Sequence, residues 1–185
     1  MVKNKTFNFP TILTLARIVL VAPLMIFMFS DNEAFRIPAL ICFVVAALTD
    51  KLDGDLARKN NQVTELGKFL DPLADKMLVN LTFFALVMKG IVVPWVFGVI
   101  LIRDFAVDGM RMMVARKGET VAASMIGKSK TMTQMIGLTI IMLSLILSNG
   151  VLLTIGTIII YIAVALTLWS GADYLTKGYK KAIKA

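Results

Sequence analysis

Between positions 50 and 76 the chain reads DKLDGDLARKNNQVTELGKFLDPLADK, and four of its aspartates fall at spacings that helical faces would gather. At about 100° per residue, Asp50, Asp53, Gly54, Ala57 and Arg58 form one stripe, at offsets 0, 3, 4, 7 and 8. Gly67, Asp71 and Asp75, at offsets 0, 4 and 8, form a second. A polar connection over 59–66 is short enough to make the two helices antiparallel neighbours. Asp50 and Asp75 then each lie eight residues, about 12 Å, from the connected ends, with Asp53 and Asp71 nearly level one turn closer. Four like charges brought this close raise one another's pKa unless cations neutralise them. Two divalent ions would balance the four carboxylates, and an all-oxygen donor set suits Mg²⁺ or Mn²⁺. Ions so held commonly bind substrate phosphates as well. Gly54, Ala57 and Gly67 leave room for a ligand beside the backbone, and Arg58 adds a cation suited to a phosphate or pyrophosphate. The competing reading pairs the aspartates with Lys51, Arg58, Lys68 and Lys76 at a wet helix end. It accounts for any one aspartate more easily than for four on two matching stripes.

Composition narrows the chemistry further. The 185 residues include no histidine and one cysteine, Cys42, which removes histidine bases, Ser-His-Asp triads and zinc sites built on His or Cys. Carboxylates, hydroxyls, Lys and Arg remain. The twelve methionines are scattered through apolar stretches and suit adaptable packing rather than a cofactor site.

These residues must be positioned by a membrane-embedded scaffold. The chain is 58% hydrophobic and 17% charged, with a mean hydropathy of +0.80, whereas soluble domains carry about 25% charged residues. Apolar runs cover 12–29, 37–49, 78–88, 91–102, 132–148 and 151–172. A bilayer-spanning helix needs about 20 residues. The sixth run reaches that length by itself; the second to fourth do so by extending into charged segments, roughly 35–58, 70–89 and 91–116. The expected architecture is an all-α integral membrane protein, a bundle of six transmembrane helices forming one domain over 1–185. Basic residues cluster at both termini and at the 58–68 and 116–130 connections, so the positive-inside rule places the termini and those loops in the cytoplasm. The net charge of +8 then faces anionic lipid headgroups, and nucleic-acid binding is discounted for want of a soluble domain to carry it. Arg17 interrupts the first run and no small-residue cleavage site follows, unlike a cleavable signal peptide.

With the residues placed, the segment resembles the CDP-alcohol phosphotransferases, whose signature is D-x-x-D-G-x-x-A-R, eight residues, then G-x-x-x-D-x-x-x-D. Asp50, Asp53, Gly54, Ala57, Arg58, Gly67, Asp71 and Asp75 fill all eight fixed positions at that spacing. The resemblance implies a six-helix membrane fold with a cytoplasmic active site in the cell membrane and two divalent metals. It also implies transfer of a phosphatidyl group from CDP-diacylglycerol to an alcohol with release of CMP. Asp50, Asp53 and Asp71 would then serve chiefly as metal ligands, and Asp75 as ligand and general base. Pro10, Thr11 and Thr14 at the first helix entry are assigned with the signature's Gly and Arg residues to the CDP-diacylglycerol pocket, although helix capping also accounts for them. The family is often dimeric, so a homodimer is expected.

Outside the signature, NFPTILTLARIVLVAP, RDFAVDGMRMMVARKG from Arg103 and VAASMIGKSKTMTQ from Val121 resemble the phosphatidylglycerophosphate-forming branch of the family. The acceptor this implies is sn-glycerol 3-phosphate. An anionic acceptor needs cations that the aspartates cannot supply. Arg103 and Arg111 lie on one broad face of the fourth span, Lys128 and Lys130 open the fifth, and Arg17 interrupts the first and so needs a partner. Each has an ordinary alternative: Arg111 is spaced to pair with Asp104 or Asp108, and the lysines to snorkel toward headgroups. Inositol phosphate, serine or phosphatidylglycerol are rival acceptors, and a carboxylate-lined cation transporter is the rival from another class. Gly137, in mid-span, is read as a close-packing residue.

Overall fold

The computed structural model describes the backbone of residues 9–59, 65–116 and 125–184, and the side chains of 12–49, 70, 72–115, 127 and 129–176. The described residues form six long helices: α1 (Phe9–Phe29), α2 (Arg36–Lys59), α3 (Glu65–Met88), α4 (Pro94–Arg116), α5 (Met125–Leu147) and α6 (Gly150–Lys184). A single 3-10 turn, Glu33–Phe35, precedes α2. These bounds follow the apolar runs, with three differences, the first that α5 starts at Met125, seven residues before its run. Helix α3 begins at Glu65, so Gly67 lies inside its first turn rather than at its edge. Helix α6 continues past the apolar run to Lys184, because nothing in its polar last turns breaks a helix.

Turn chemistry fixes the tight connections. Gly90 adopts φ +69° beyond α3, and the amides of Gly90 and Ile91 close onto Val87 O and Leu86 O, each at 2.9 Å. That is the glycine-dependent helix stop, and Pro94 then opens α4. Ser148 takes the equivalent left-handed position after α5, at φ +49°. The Asn149 side chain then caps α6, accepting from the amides of Val151 and Leu152 at 2.9 and 3.1 Å.

The core is apolar and inward-facing, with Leu24, Phe43, Phe83, Leu86, Ile100, Leu138 and Ile141 all fully buried. Outward-facing residues are apolar too: Ile12, Val19 and Ile26 recur every two turns on the exposed side of α1. An apolar exterior around an apolar core is what lipid as solvent requires, and the chain is an all-α membrane protein. Among the described residues three segments are long and apolar enough to cross a bilayer unaided, Ile12–Phe29, Ser129–Leu147 and Gly150–Thr176. Helices α2, α3 and α4 carry the charges that keep them from that class, as their sequences foretold.

Among the described residues α1 packs along both α2 and α3, which meet each other more lightly; α6 packs along α4 and α5. The closest approach is between α5 and α6. A Cβ on Gly137 would sit 2.6 Å from Ile160 Cδ1, and one on Gly156 would sit 2.7 Å from Ile141 Cγ1 and 3.1 Å from its backbone nitrogen. Gly137 is therefore a packing residue, paired with a second glycine on the facing helix.

Candidate active site

Helices α2 and α3 carry the signature. Asp50, Asp53, Gly54, Ala57 and Arg58 lie on α2, Gly67, Asp71 and Asp75 on α3. Asp50 is nine residues from the end of α2 and Asp75 ten from the start of α3, so both stand about 14 Å from their connected ends. The matched depth thus survives the earlier start of α3. Of these side chains only Asp75 is described; those of Asp50, Asp53, Gly54, Ala57, Arg58, Gly67 and Asp71 lie outside the described residues, as do those of Pro10, Thr11 and Lys128. Asp75 is half-buried, with Oδ1 enclosed by protein. Among the described residues no three carboxylates come together. The donor set itself, carboxylate oxygens on two helices, has the chemistry that hard divalent cations take.

Thr14 and Arg17 sit fully buried on α1, at 0% and 1% exposure. Thr14 is in the second turn of α1, too deep to cap it, so of the two explanations weighed for it, capping fails. Arg17 is the largest fully buried side chain of the described residues. Its placement inside the bundle, not toward lipid, is what an intramembrane charge requires.

The cations of α4 and α5 converge. Asp104, 7% exposed, lies on the inward face of α4 in line with Ile100 and Val107. Its Oδ1 accepts from Lys130 Nζ at 2.5 Å and from Arg103 Nη1 at 3.0 Å. Arg103 Nη2 also donates to Ser170 Oγ of α6, at 2.9 Å. Gly171 makes that reach feasible, since a Cβ there would lie 2.9 Å from Arg103 Cγ. Arg103 and Lys130, nominated separately from sequence, thus share one carboxylate in the bundle interior.

Arg111 stands apart. It is exposed, donates from Nε to Tyr174 Oη at 3.3 Å and lies 5.6 Å from the centre of that ring. Pairing with Asp104 or Asp108 is not what it does: Asp104 is taken by Arg103 and Lys130, and Asp108 receives Lys76 from α3. Lys76 therefore crosses to α4. That contact ties the turn of α3 bearing Asp75 to the face of α4 that holds Asp104 one turn away. Ser170, Gly171 and Tyr174 had no role in the sequence reading, and Asp104 and Asp108 only that of helix-spaced partners for Arg111. Lys130, Lys76, Arg111 and Arg103 reach Asp104, Asp108, Tyr174 and Ser170 across 26 to 67 residues of chain, so helical spacing gives no sign of these contacts.

Comparison with known proteins identifies the family of the chain. Residues 7–169 match the family model described as CDP-alcohol phosphatidyltransferase. A Bacillus subtilis protein named CDP-diacylglycerol–glycerol-3-phosphate 3-phosphatidyltransferase is 39% identical over 186 residues, covering 94% of this chain and 96% of its own. A Rickettsia bellii protein of the same name is 38% identical over 175 residues, covering 94% and 96%. An Arabidopsis thaliana protein, the second so named, is 36% identical over 195 residues, covering 98% and 84%.

Proposed function

The chain belongs to the CDP-alcohol phosphatidyltransferase family, and from that premise we propose that it transfers the phosphatidyl group of CDP-diacylglycerol to sn-glycerol 3-phosphate, giving phosphatidylglycerophosphate and CMP. The observation that carries the acceptor assignment is the buried cluster of Arg103 and Lys130, linked through α4 and the Lys76–Asp108 contact to the Asp75 turn of α3. A neutral alcohol has no use for two interior cations; a phosphorylated one does.

The reaction is a single displacement. The acceptor hydroxyl oxygen bonds to the phosphorus that carries the diacylglycerol, and the bond from that phosphorus to the CMP oxygen breaks. Asp75 takes the hydroxyl proton as the new bond forms, which a carboxylate in contact with the acceptor can do in the transition state. Arg103 and Lys130 hold the acceptor's own phosphate, with Arg17, Arg111 and Lys128 as further cations of that pocket. Arg58 and the small residues Gly54, Ala57 and Gly67 receive the diphosphate of the donor, with Pro10, Thr11 and Thr14 at its nucleotide end. The family generally uses divalent metal ions; two Mg²⁺ or Mn²⁺ held by Asp50, Asp53, Asp71 and Asp75 would neutralise the diphosphate and the departing CMP. The acyl chains stay in lipid while the headgroup reaches the polar end of the bundle. The basic loops support a cytoplasmic position for that end, by the positive-inside rule. The whole chain acts as one phosphotransferase unit, and two copies pair through outward apolar faces; a protein mass in detergent near twice 20.3 kDa checks the pairing.

The test is release of CMP from CDP-diacylglycerol by purified protein with a panel of alcohols, with and without Mg²⁺. Turnover with glycerol 3-phosphate that disappears with the metal is the expected result. Turnover with inositol phosphate, serine or phosphatidylglycerol instead would overturn the acceptor assignment.

A further inference from the structure

We propose that Asp104 is a counter-charge that decides which anions the acceptor pocket admits, an inference that rests on the phosphorylated-acceptor reading above. Two buried cations with no carboxylate would draw any small anion into the bundle, bare inorganic phosphate included. Asp104 Oδ1 receives both Lys130 and Arg103 and leaves the trio a single positive charge. Phosphate alone then gains too little from the site to stay.

Further donors remain for a larger ligand. An ammonium has three N–H groups and a guanidinium five. Among the described residues Lys130 gives one to Asp104, while Arg103 gives one to Asp104 and one to Ser170. Arg103 Nε is buried with no acceptor, and so is Nε2 of Gln134. Gln134 is 1% exposed and sits one turn beyond Lys130 on the inward stripe of α5. Buried donors without acceptors are rare and point to an oxygen-bearing ligand. A ligand with both a phosphate and alcohol oxygens engages the half-neutralised cations and these spare donors together. Inorganic phosphate engages only the first. Asp104 thereby makes binding conditional on the rest of the acceptor, a selection by lowered affinity for the competitor.

The test measures inhibition of CMP release by inorganic phosphate for the wild type, Asp104→Asn and Asp104→Glu. The half-inhibiting phosphate concentration is expected to fall at least tenfold in Asp104→Asn and to stay within threefold in Asp104→Glu. The KM for CDP-diacylglycerol is expected to be unchanged in both. Unchanged or weaker phosphate inhibition in Asp104→Asn overturns the proposal. Should that variant not fold, the double variant Asp104→Asn/Lys130→Met keeps the net charge of the trio. Its phosphate inhibition is expected within threefold of wild type, and a tenfold tighter value there overturns the proposal as well. Thermal unfolding in detergent separates this inference from the one beneath it. If the wild type releases no CMP with glycerol 3-phosphate, the proposed reaction fails. Phosphate must still raise the unfolding midpoint of Asp104→Asn more than that of wild type, and an equal or smaller rise refutes the role of Asp104.

Discussion

Charged side chains gather at both ends of the bundle, under different conditions. Where α1 ends and α2 begins, Arg36 pairs with Glu33 at 2.7 Å and donates to Leu145 O at 2.8 Å, while Lys89 donates to Ser30 O at 2.9 Å. Glu33 is 75% exposed, and these contacts tie off helix ends in the reach of water. At the other end Lys130 and Asp104 are 5% and 9% exposed, and their bond crosses between helices. A solvated pair contributes little because water competes for both partners. A buried one costs heavily to break, because each member leaves the other's charge uncompensated. Among the described residues the buried charges, Arg17, Asp104 and Lys130, lie on α1, α4 and α5 rather than on the signature helices α2 and α3. Buried charges in a membrane protein are candidates for function.

The comparison can be broken most sharply at Asp75. Replacement by Asn keeps the size of the side chain and removes the base, so turnover is expected to fall by about 10²- to 10⁴-fold with the helical circular-dichroism spectrum unchanged. Wild-type rates would end its proposed role. A smaller effect is expected for Lys130→Met: KM for glycerol 3-phosphate should rise about ten- to a hundredfold, the equivalent of one charged hydrogen bond, while KM for CDP-diacylglycerol stays put. Equal changes in both would make Lys130 a structural lysine. The smallest effect belongs to the solvated end. Arg36→Ala should cost less than about 1 kcal/mol of stability and leave both KM values alone; a loss of activity there would erase the contrast between the two ends.

The aspartate signature was legible because its geometry is local. Asp50 to Asp75 occupy one stretch, and the period of a helix places them at matched depths before any packing is known. The same arithmetic located α1, α5 and α6, whose apolar runs are long enough to declare themselves. The cation cluster was legible only as a set of residue types. Lys130 and Arg103 were singled out as cations without their shared partner, and spacing along α4 suggested Asp104 as a partner for Arg111. The long stem of Lys130 instead reaches it from α5, and Arg111 turns to Tyr174. Side-chain reach between helices is settled by how the helices pack, and that is not written in the period of either one. Lys76 shows the same limit: the competing reading paired it with the neighbouring aspartates, and it instead crosses to Asp108.

Gly171 carries no functional group, yet Arg103 passes so close that a methyl there would press on its stem. The displaced guanidinium would lose its hold on Ser170 and shift from Asp104, although Gly171 itself lies on α6, outside the signature helices. A substitution at this position would thus read as an altered appetite for the acceptor in a protein that still folds. Permission to hold an arginine in place is as heritable as the arginine itself, and in this bundle it is written as the absence of a side chain.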